Sequence, residues 1–408
     1  MVVKDASVFT YRYTPSLILH REKEMADLAY RMNNPLQGKP VKNTIIYGYS
    51  GTGKTLIAKN LASEITKKTF DVLTCYVRMK GAQSEYKAVN KVSMALMNTE
   101  YDGRSPSSIY NRIFSYIKQL NEKYVVFIFD EIDSVTQNID GFLDAFLRPY
   151  ENYDLGDKEV SIILISNKMT FPEELSMGTR SSFACLDKLV FSPYDASHLR
   201  DILIERAEKG LIEGTFEDIV IPLCAAYGAR EHGDARRTIE LLGKSASMAE
   251  KEGSPKILEK HVSSAREIIE FEGIAQVLKT LPIQAKAVAL AITMDIINKD
   301  RSITSVSYPE NAPTTGSIYT EYKNICNRTG MEVLTQRRIR DFLDEFESMG
   351  LLHAEVIYKG RYGRNRHVEL IIPPSIIEKV ITDDTQFYEF KPDLEQREPI
   401  EMEQMKLF

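Results

Sequence analysis

The spacing of apolar and polar residues changes along the chain and divides it into several stretches. Up to about Phe191, short apolar runs alternate with amphipathic segments. Runs of this length that are almost continuously apolar are typical of strands buried on both faces. The predicted strands are Thr44 to Tyr47, Val72 to Val77, Tyr124 to Phe129 and Ser161 to Ser166. We therefore expect residues 1–195 to form an α/β core in which a parallel sheet carries helices on both faces.

Beyond this core the pattern is helical. From Ala196 to about Gly273, apolar residues recur at helical spacings, as at Leu199, Ile202 and Leu203. This spacing predicts an all-α domain at residues 196–278.

A third domain is predicted at residues 279–382, where three helical segments precede two β-rich segments. These segments are Ala285 to Ile297, Ser317 to Cys326, Thr335 to Met349, Leu351 to Tyr358 and Val368 to Ile372. The two β-rich segments flank a basic turn at Lys359 to His367 and are expected to form a hairpin. Helices followed by a hairpin are the order of a winged helix-turn-helix domain.

Charge is unevenly spread along the chain. The formal net charge is -6, and residues 383–408 hold eight acidic and three basic residues, a balance of 3 - 8 = -5. We expect this stretch, with its two prolines, to be a loosely ordered acidic tail. The rest is close to neutral, so the net charge does not exclude nucleic acid; a local basic patch matters more to a phosphate backbone.

Composition indicates a soluble globular protein, with 43% hydrophobic and 27% charged residues. We find no apolar run of the roughly 18 residues that a membrane-spanning helix needs, so we expect no membrane partner and a cytoplasmic location. The cysteines Cys75, Cys185, Cys224 and Cys326 are far apart in the sequence. This spacing argues against zinc binding and against a disulfide framework, so we expect reduced, structural cysteines.

The strongest chemical motif follows the first predicted strand. Residues Gly48 to Thr55 match G-x-x-x-x-G-K-[ST] between an apolar strand and a helix-forming run. In such a P-loop, backbone N–H groups surround phosphate oxygens, the lysine reaches the outer phosphates and the hydroxyl can bind Mg²⁺. We expect ATP or ADP to contact Ser50, Gly51, Thr52, Gly53, Lys54, Thr55 and Leu56.

The third predicted strand ends in acids, in the sequence Phe127-Ile128-Phe129-Asp130-Glu131. Parallel sheets bind ligands at the carboxyl ends of their strands. Asp130 is therefore expected to hold Mg²⁺ together with Thr55, and Glu131 to polarise the attacking water. Asn167, directly after the fourth strand, is expected to orient that water, although an asparagine at a strand end is also a common turn residue.

At this point the motifs resemble AAA+ ATPases, and more narrowly the archaeal initiator family related to the largest origin recognition complex subunit and to the cell-division-control helicase loader. Tyr13-Thr14-Pro15, together with His20-Arg21-Glu22, resembles the N-terminal segment that packs near the adenine in that family, which implies adenine contacts for Tyr13 and Pro15. Gly233-Asp234-Ala235-Arg236-Arg237 resembles its second sensor, which implies that Arg236 reaches the γ-phosphate from the helical lid.

The resemblance also implies an arginine that completes the site of a neighbouring subunit. Arg180 stands at the corresponding place, but Ser176-Met177-Gly178 replaces the Asp-Pro-Arg expected just upstream. We therefore expect weak, regulatory ATP hydrolysis by the isolated chain. The resemblance separately implies self-association or paralogue pairing on DNA.

The predicted helix that starts at Thr335 has the polarity of a recognition helix. An apolar stripe from Ile339 to Met349 is expected to face the domain core. Acids fill the C-terminal half, so DNA contacts are expected only from the first turns. The candidates are Thr335, Gln336, Arg337 and Arg340.

The hairpin turn supplies the second set of DNA-binding candidates, Lys359, Arg361, Tyr362, Arg364 and Arg366. Arginines of such a wing can enter a minor groove and respond to its width. The resemblance further implies a DNA contact from an insertion in the ATPase domain, for which Arg104 within Tyr101 to Ser108 is the candidate.

Together with the family resemblance, these observations favour an ATP-dependent initiator. The resemblance implies that it binds double-stranded origin DNA and helps to load the replicative minichromosome maintenance helicase on the nucleoid. A P-loop transcription regulator with a winged helix is an alternative, and a clamp-loader-like ATPase is another. The basic hairpin speaks against the clamp loader, whose main partner is a protein.

Overall fold

The computed structural model describes residues 2–10, 12–15, 17–299, 312–358 and 364–391. The chain divides into two compact units, Met1–Ala265 and Arg266–Phe408.

The first unit is built on a five-stranded sheet in the order β2-β3-β4-β1-β5. All four neighbouring pairs are parallel, which confirms the predicted parallel sheet. Its strands are β1 (Thr44–Gly48), β2 (Val72–Arg78), β3 (Tyr124–Asp130), β4 (Glu159–Ser166) and β5 (Asp187–Phe191). The sequence did not single out β5, because this edge strand is only half-buried.

Helices cover both faces of the sheet, as the apolar runs predicted. Alternate residues of one strand enter opposite layers: Phe127 and Phe129 pack in one core cluster and Ile128 in the other. The helices of this part are α1 (Glu22–Met32), α2 (Lys54–Lys68), α3 (Glu85–Met97), α4 (Pro106–Gln119), α5 (Ile139–Leu147), α6 (Pro149–Asn152) and α7 (Met177–Ala184).

A helical lid follows the sheet. It contains α8 (Ala196–Gly210), α9 (Val220–Arg230), α10 (Ala235–Lys251) and the start of α11 (Glu259–Thr280). The N-terminus of the chain is tied to this lid rather than to the sheet. The backbone N–H groups of Val2 and Val3 donate to Glu250, and that of Lys4 donates to the carbonyl of Gly210.

The second unit is a winged-helix domain. It contains α12 (Ile283–Lys299), α13 (Thr315–Thr329), α14 (Gln336–Ser348), the antiparallel strands β6 (Leu352–Tyr358) and β7 (Arg364–Leu370), and α15 (Pro374–Thr382). The backbone N–H of Val368 donates to the carbonyl of Pro313, which extends the hairpin by a third short segment. The order of elements confirms the predicted winged-helix architecture.

Two details of this domain differ from expectation. The fold continues past residue 382, because Phe387 and Phe390 are fully buried and Lys286 forms an ion pair with Asp384. The apolar stripe of α14 ends at Phe346, since Met349 is 43% exposed. The prediction of a loosely ordered tail rested on its acidic charge and its prolines. In the structure, Phe387 and Phe390 anchor the first part of this tail in the core of the winged-helix domain.

Cysteine and membrane predictions can also be compared with the structure. All four cysteines are free; Cys185 is exposed and the other three are buried. Among the described residues, every helix is too short or too polar to cross a membrane.

Candidate nucleotide and DNA sites

The phosphate-binding turn joins β1 to α2. Gly48 leaves no room for a side chain, because a Cβ atom there would lie 2.6 Å from the carbonyl oxygen of Phe191. Lys54 is buried, and its ammonium donates to the carbonyls of Gly48 at 2.8 Å and Tyr49 at 2.6 Å. Burial lowers the pKa of Lys54 to about 8. The lysine thus lies over the turn on which phosphates bind in P-loop proteins.

Asp130 ends β3 beside this turn. The hydroxyl of Thr55 donates to Asp130 Oδ2 at 2.8 Å, and the hydroxyl of Tyr76 donates to the same oxygen at 2.6 Å. A hydroxyl and a buried carboxylate are oxygen ligands of the kind that Mg²⁺ takes in combination with nucleotide phosphates. The pair therefore fits the magnesium site expected at Thr55 and Asp130.

Glu131, the next residue after Asp130, is hydrogen-bonded to an arginine. Its backbone has φ 56°, a left-handed conformation that is uncommon outside glycine. Arg78 Nε and Nη2 donate to Glu131 Oε1 at 3.0 and 2.7 Å. This hydrogen bonding raises the pKa of Arg78 further. The carboxylate expected to polarise water is therefore engaged by a neighbouring strand end.

One cavity connects these groups to the N-terminal segment and the lid. It is lined by Val8, Phe9, Thr10, Tyr13, Pro15, Leu17, Ile18, Leu19, Ser50, Gly51, Thr52, Gly53, Lys54, Thr55, Leu56, Asp130, Glu131, Asn167, Tyr194, Ile202, Glu205, Arg206, Ala235, Arg236 and Ile239. All the residues expected to contact nucleotide line this space, and so do Glu131 and Asn167. The backbone N–H of Asn167 donates to Asp133.

Lid and turn are in close contact. A Cβ atom on Gly51 would lie 1.8 Å from Asp234 Oδ1, and the ring of His232 stacks on Tyr49 at 5.3 Å. Asp234 also caps α10 by accepting from the N–H groups of Arg236 and Arg237. The cap places Arg236 in the first turn of α10, where it lines the cavity.

Arg180 lies outside the cavity lining. Its Nη2 donates to the carbonyls of Glu173 at 2.8 Å and Leu175 at 3.0 Å within its own chain. Arg104 is exposed in the turn before α4, on the path from β2 to β3. The proposed contacts of both residues with a neighbour or with DNA remain predictions.

The predicted recognition helix starts at its expected cap. Thr335 accepts a hydrogen bond from the N–H of Arg338. Gln336, Arg337 and Arg340 are exposed in the first turns.

The wing candidates fall in different parts of the structure. Lys359, Arg361 and Tyr362 lie outside the described residues, and Arg364 begins β7. Arg366 is engaged within the domain, because it forms ion pairs with Asp344 and Glu347 of α14. These two acids are thus partly neutralised.

Several residues around the cavity escaped the sequence analysis. Arg78 and Tyr76 lie on β2, which carries no motif, and Arg206 lies inside an ordinary lid helix. Arg21, by contrast, belongs to the N-terminal segment that carries the family resemblance; it donates to the carbonyls of Thr52 and Ser192 and lies 4.0 Å from the centre of the Tyr194 ring. Only the strand order, which places β2 beside β3, could have indicated Arg78.

The parallel sheet, phosphate turn, acidic strand end and helical lid define a P-loop ATPase of the AAA+ class, here followed by a winged-helix domain. Sequence models agree with this division. "ATPase family associated with various cellular activities (AAA)" matches residues 44–187, "Cdc6 AAA+ ATPase-type lid domain" residues 200–267, and "CDC6, C terminal winged helix domain" residues 276–380.

Relatives extend the likeness to nearly the whole chain. An ORC1-type DNA replication protein of Thermococcus kodakarensis is 35% identical over 94% of this chain and 92% of its own length. One from Methanosarcina mazei is 34% identical over 96% of this chain and 92% of its own length. The Aeropyrum pernix ORC1 protein, solved in complex with DNA, has a TM-score of 0.80 at 30% identity and covers 95% of this chain and 99% of that one. The chain belongs to the ORC1/Cdc6 family of DNA replication proteins, as the sequence motifs suggested.

Proposed function

We propose that this chain is an ATP-dependent initiator that binds double-stranded origin DNA on the nucleoid and helps to load the replicative minichromosome maintenance helicase. One observation carries the proposal: a nucleotide cavity closed by a lid in the first unit is followed by a winged-helix unit whose recognition helix begins with exposed cations. A relative of similar length was solved on DNA, which supports duplex DNA as the ligand.

The nucleotide proposed is ATP or ADP with Mg²⁺. When bound, the metal would neutralise phosphate charge, and Thr55 and Asp130 would hold it. Lys54 would lie against the outer phosphates, Glu131 and Asn167 would orient water, and Arg236 would contact the γ-phosphate from the lid. The contacts between Asp234 and Gly51, and between His232 and Tyr49, would let the phosphates shift the lid.

Hydrolysis by the isolated chain is proposed to be weak and regulatory. Arg78 engages the carboxylate of Glu131, so this carboxylate would have to leave the ion pair before it could accept a proton from the attacking water. Arg180 is hydrogen-bonded to carbonyls of its own chain. Turnover would rise when a partner or DNA rearranged these contacts, in line with self-association or paralogue pairing on DNA.

Duplex binding is proposed to begin at the first turns of α14, since Arg337 and Arg340 are exposed there. The test uses the full chain, a duplex and a salt series. The double variant Arg337→Ala, Arg340→Ala should bind more weakly, and the slope of log K against log salt should fall by about 2, roughly one per lost phosphate contact.

Arg338→Ala is the matched control, because Arg338 lies in the same turn but faces Asp341 at 3.5 Å. Its slope should stay close to that of the unsubstituted chain. Equal losses in the two variants, or none in either, would remove α14 from the DNA contact.

The ATP dependence is tested separately. Duplex affinity and helicase recruitment to origin DNA would be measured with ATP and with ADP. Identical values for both nucleotides would contradict the proposed dependence and leave DNA binding itself intact.

A further inference from the structure

Arg206 is a buried cation that the nucleotide chemistry above does not use. It lies on α8 in the lid and is 6% exposed. Its Nε and Nη1 atoms are buried and have no hydrogen-bond partner among the described residues. Its guanidinium lies 4.3 Å from the centre of the Tyr13 ring.

Such a group is costly to bury unless it gains partners. Glu205 Oε2 lies 3.4 Å from Arg206 Nε without a hydrogen bond between them, and Glu205 Oε1 accepts from Lys209. Desolvation lowers the pKa of Arg206 despite this nearby carboxylate. The side chain is therefore incompletely satisfied by the protein alone, which indicates that a ligand completes its surroundings.

The position of Arg206 indicates which part of a bound ligand would contact it. Arg206 and Glu205 both line the nucleotide cavity, on the side formed by Tyr13, Pro15 and the lid. The phosphate turn already supplies Lys54 and a helix N-terminus for the anionic end of a nucleotide. The remaining end of a nucleotide is its base.

We propose that Arg206 and Glu205 together determine the specificity for adenine, an inference that rests on the proposed binding of ATP or ADP. Adenine presents an acceptor nitrogen beside its 6-amino donor. Arg206 donates to the ring nitrogen, Glu205 accepts from the amino group, and Tyr13 packs beside them. Guanine and hypoxanthine present an oxygen at position 6, which would oppose the Glu205 carboxylate.

The test compares ADP with inosine diphosphate, which carries an oxygen in place of the amino group. Affinities of both would be measured calorimetrically on the full chain, freed of nucleotide. The unsubstituted chain should prefer ADP by about tenfold or more. Arg206→Met should weaken ADP binding by about tenfold and reduce the preference for ADP over inosine diphosphate, because a charged hydrogen bond to the base is lost. Glu205→Gln should also reduce this preference, since its side-chain amide can donate to the oxygen at position 6 of inosine diphosphate.

Folding provides the first control. Arg206→Met removes two buried nitrogens that have no hydrogen-bond partner in the described protein, so the melting temperature of this variant without nucleotide should not fall. Arg200→Met is the matched variant on the same helix, because Arg200 is 54% exposed and outside the cavity lining. It should keep both affinities.

The outcomes separate this inference from the proposed function. If the unsubstituted chain binds ADP and the variants weaken ADP and inosine diphosphate by the same factor, Arg206 and Glu205 do not select the base. If the unsubstituted chain binds no adenine nucleotide, the proposed function fails, and this inference with it.

Discussion

Arg78 at the end of β2 holds Glu131, the residue after β3, through two hydrogen bonds of 2.7 and 3.0 Å to one carboxylate oxygen. The two strands are neighbours, and Arg78 pairs in register with Asp130. The acid proposed to activate water is thus paired with a cation that belongs to no recognised motif. Under the proposed mechanism, this pairing would restrain ATP hydrolysis by the resting chain.

Replacing Arg78 should release that restraint. Arg78→Met is expected to raise the basal ATP hydrolysis rate a few-fold, because the carboxylate becomes free to accept a proton. Glu131→Gln should lower the rate by about a hundredfold or more while ATP still binds. Steady-state phosphate release measures both.

The double variant Arg78→Met, Glu131→Gln is the control. It should match Glu131→Gln alone, since Arg78 is expected to act only through the carboxylate. A rate increase that survives in the double variant would show that Arg78 influences turnover by another route.

Nucleotide affinity should fall at alkaline pH because of Lys54. Its pKa is lowered by burial from 10.5 to about 8, so the ammonium of the free protein is lost as pH rises through 8. ADP affinity should therefore fall by about tenfold between pH 7 and pH 9. The folding stability of the nucleotide-free chain should change in the opposite direction. Between pH 8 and 10.5, Lys54 binds more protons in the unfolded than in the folded chain, so its contribution to the free energy of unfolding rises with pH.

Calorimetric titration of ADP at pH 7, 8 and 9 measures this dependence. Lys54→Met should bind weakly throughout and lose the decline, whereas Lys67→Met, an exposed change on the same helix, should keep it. An unchanged decline in Lys54→Met would assign the titration to another group.

Magnesium should act through Asp130. Removal of Mg²⁺ with a chelator is expected to weaken ATP binding by the unsubstituted chain, because the phosphate charge is then neutralised by protein groups alone. Asp130→Asn should no longer respond to the chelator. Glu131→Gln should still respond, since Glu131 is paired with Arg78 and not with Thr55. A chelator response retained in Asp130→Asn would contradict the proposed site.

Gly233 should matter more than its backbone conformation alone requires. Gly233 and Gly214 have similar left-handed φ angles of 67° and 76°. A Cβ atom at Gly214 meets nothing within 4 Å, but at Gly233 it would lie 2.3 Å from the carbonyl oxygen of Tyr194. Gly214→Ala should cost about 1–2 kcal/mol of stability and Gly233→Ala at least roughly twice that.

Denaturant unfolding compares the two glycine variants directly. Nucleotide affinity should fall only in Gly233→Ala, because this glycine lies next to Asp234, which contacts the phosphate turn. Equal destabilisation by Gly233→Ala and Gly214→Ala would mean that the loop around Gly233 moves aside freely. The close approach of Gly233 to Tyr194 would then not hold Asp234 against the phosphate-binding turn.

The sequence by itself determined the architecture. Strands that are buried on both faces appear in a single sequence as short, almost continuously apolar runs, and β1, β3 and β4 were predicted almost to their ends. Gly48 to Thr55 and Asp130 could be recognised because their chemistry requires fixed residue types at fixed spacing. The winged helix followed from the order of its helices and strands.

Only the tertiary structure decided which side chains hydrogen-bond or form ion pairs with each other and which of them line the same cavity. Arg78 and Glu131 are 53 positions apart and meet because β2 lies beside β3. Arg206 lies at the nucleotide cavity because the lid folds over this cavity, and the DNA-contact candidate Arg366 is paired with Asp344 and Glu347. The pattern of apolar residues indicates which residues are buried. Which side chains contact each other depends on how segments distant in the sequence pack, and the local sequence does not specify that packing.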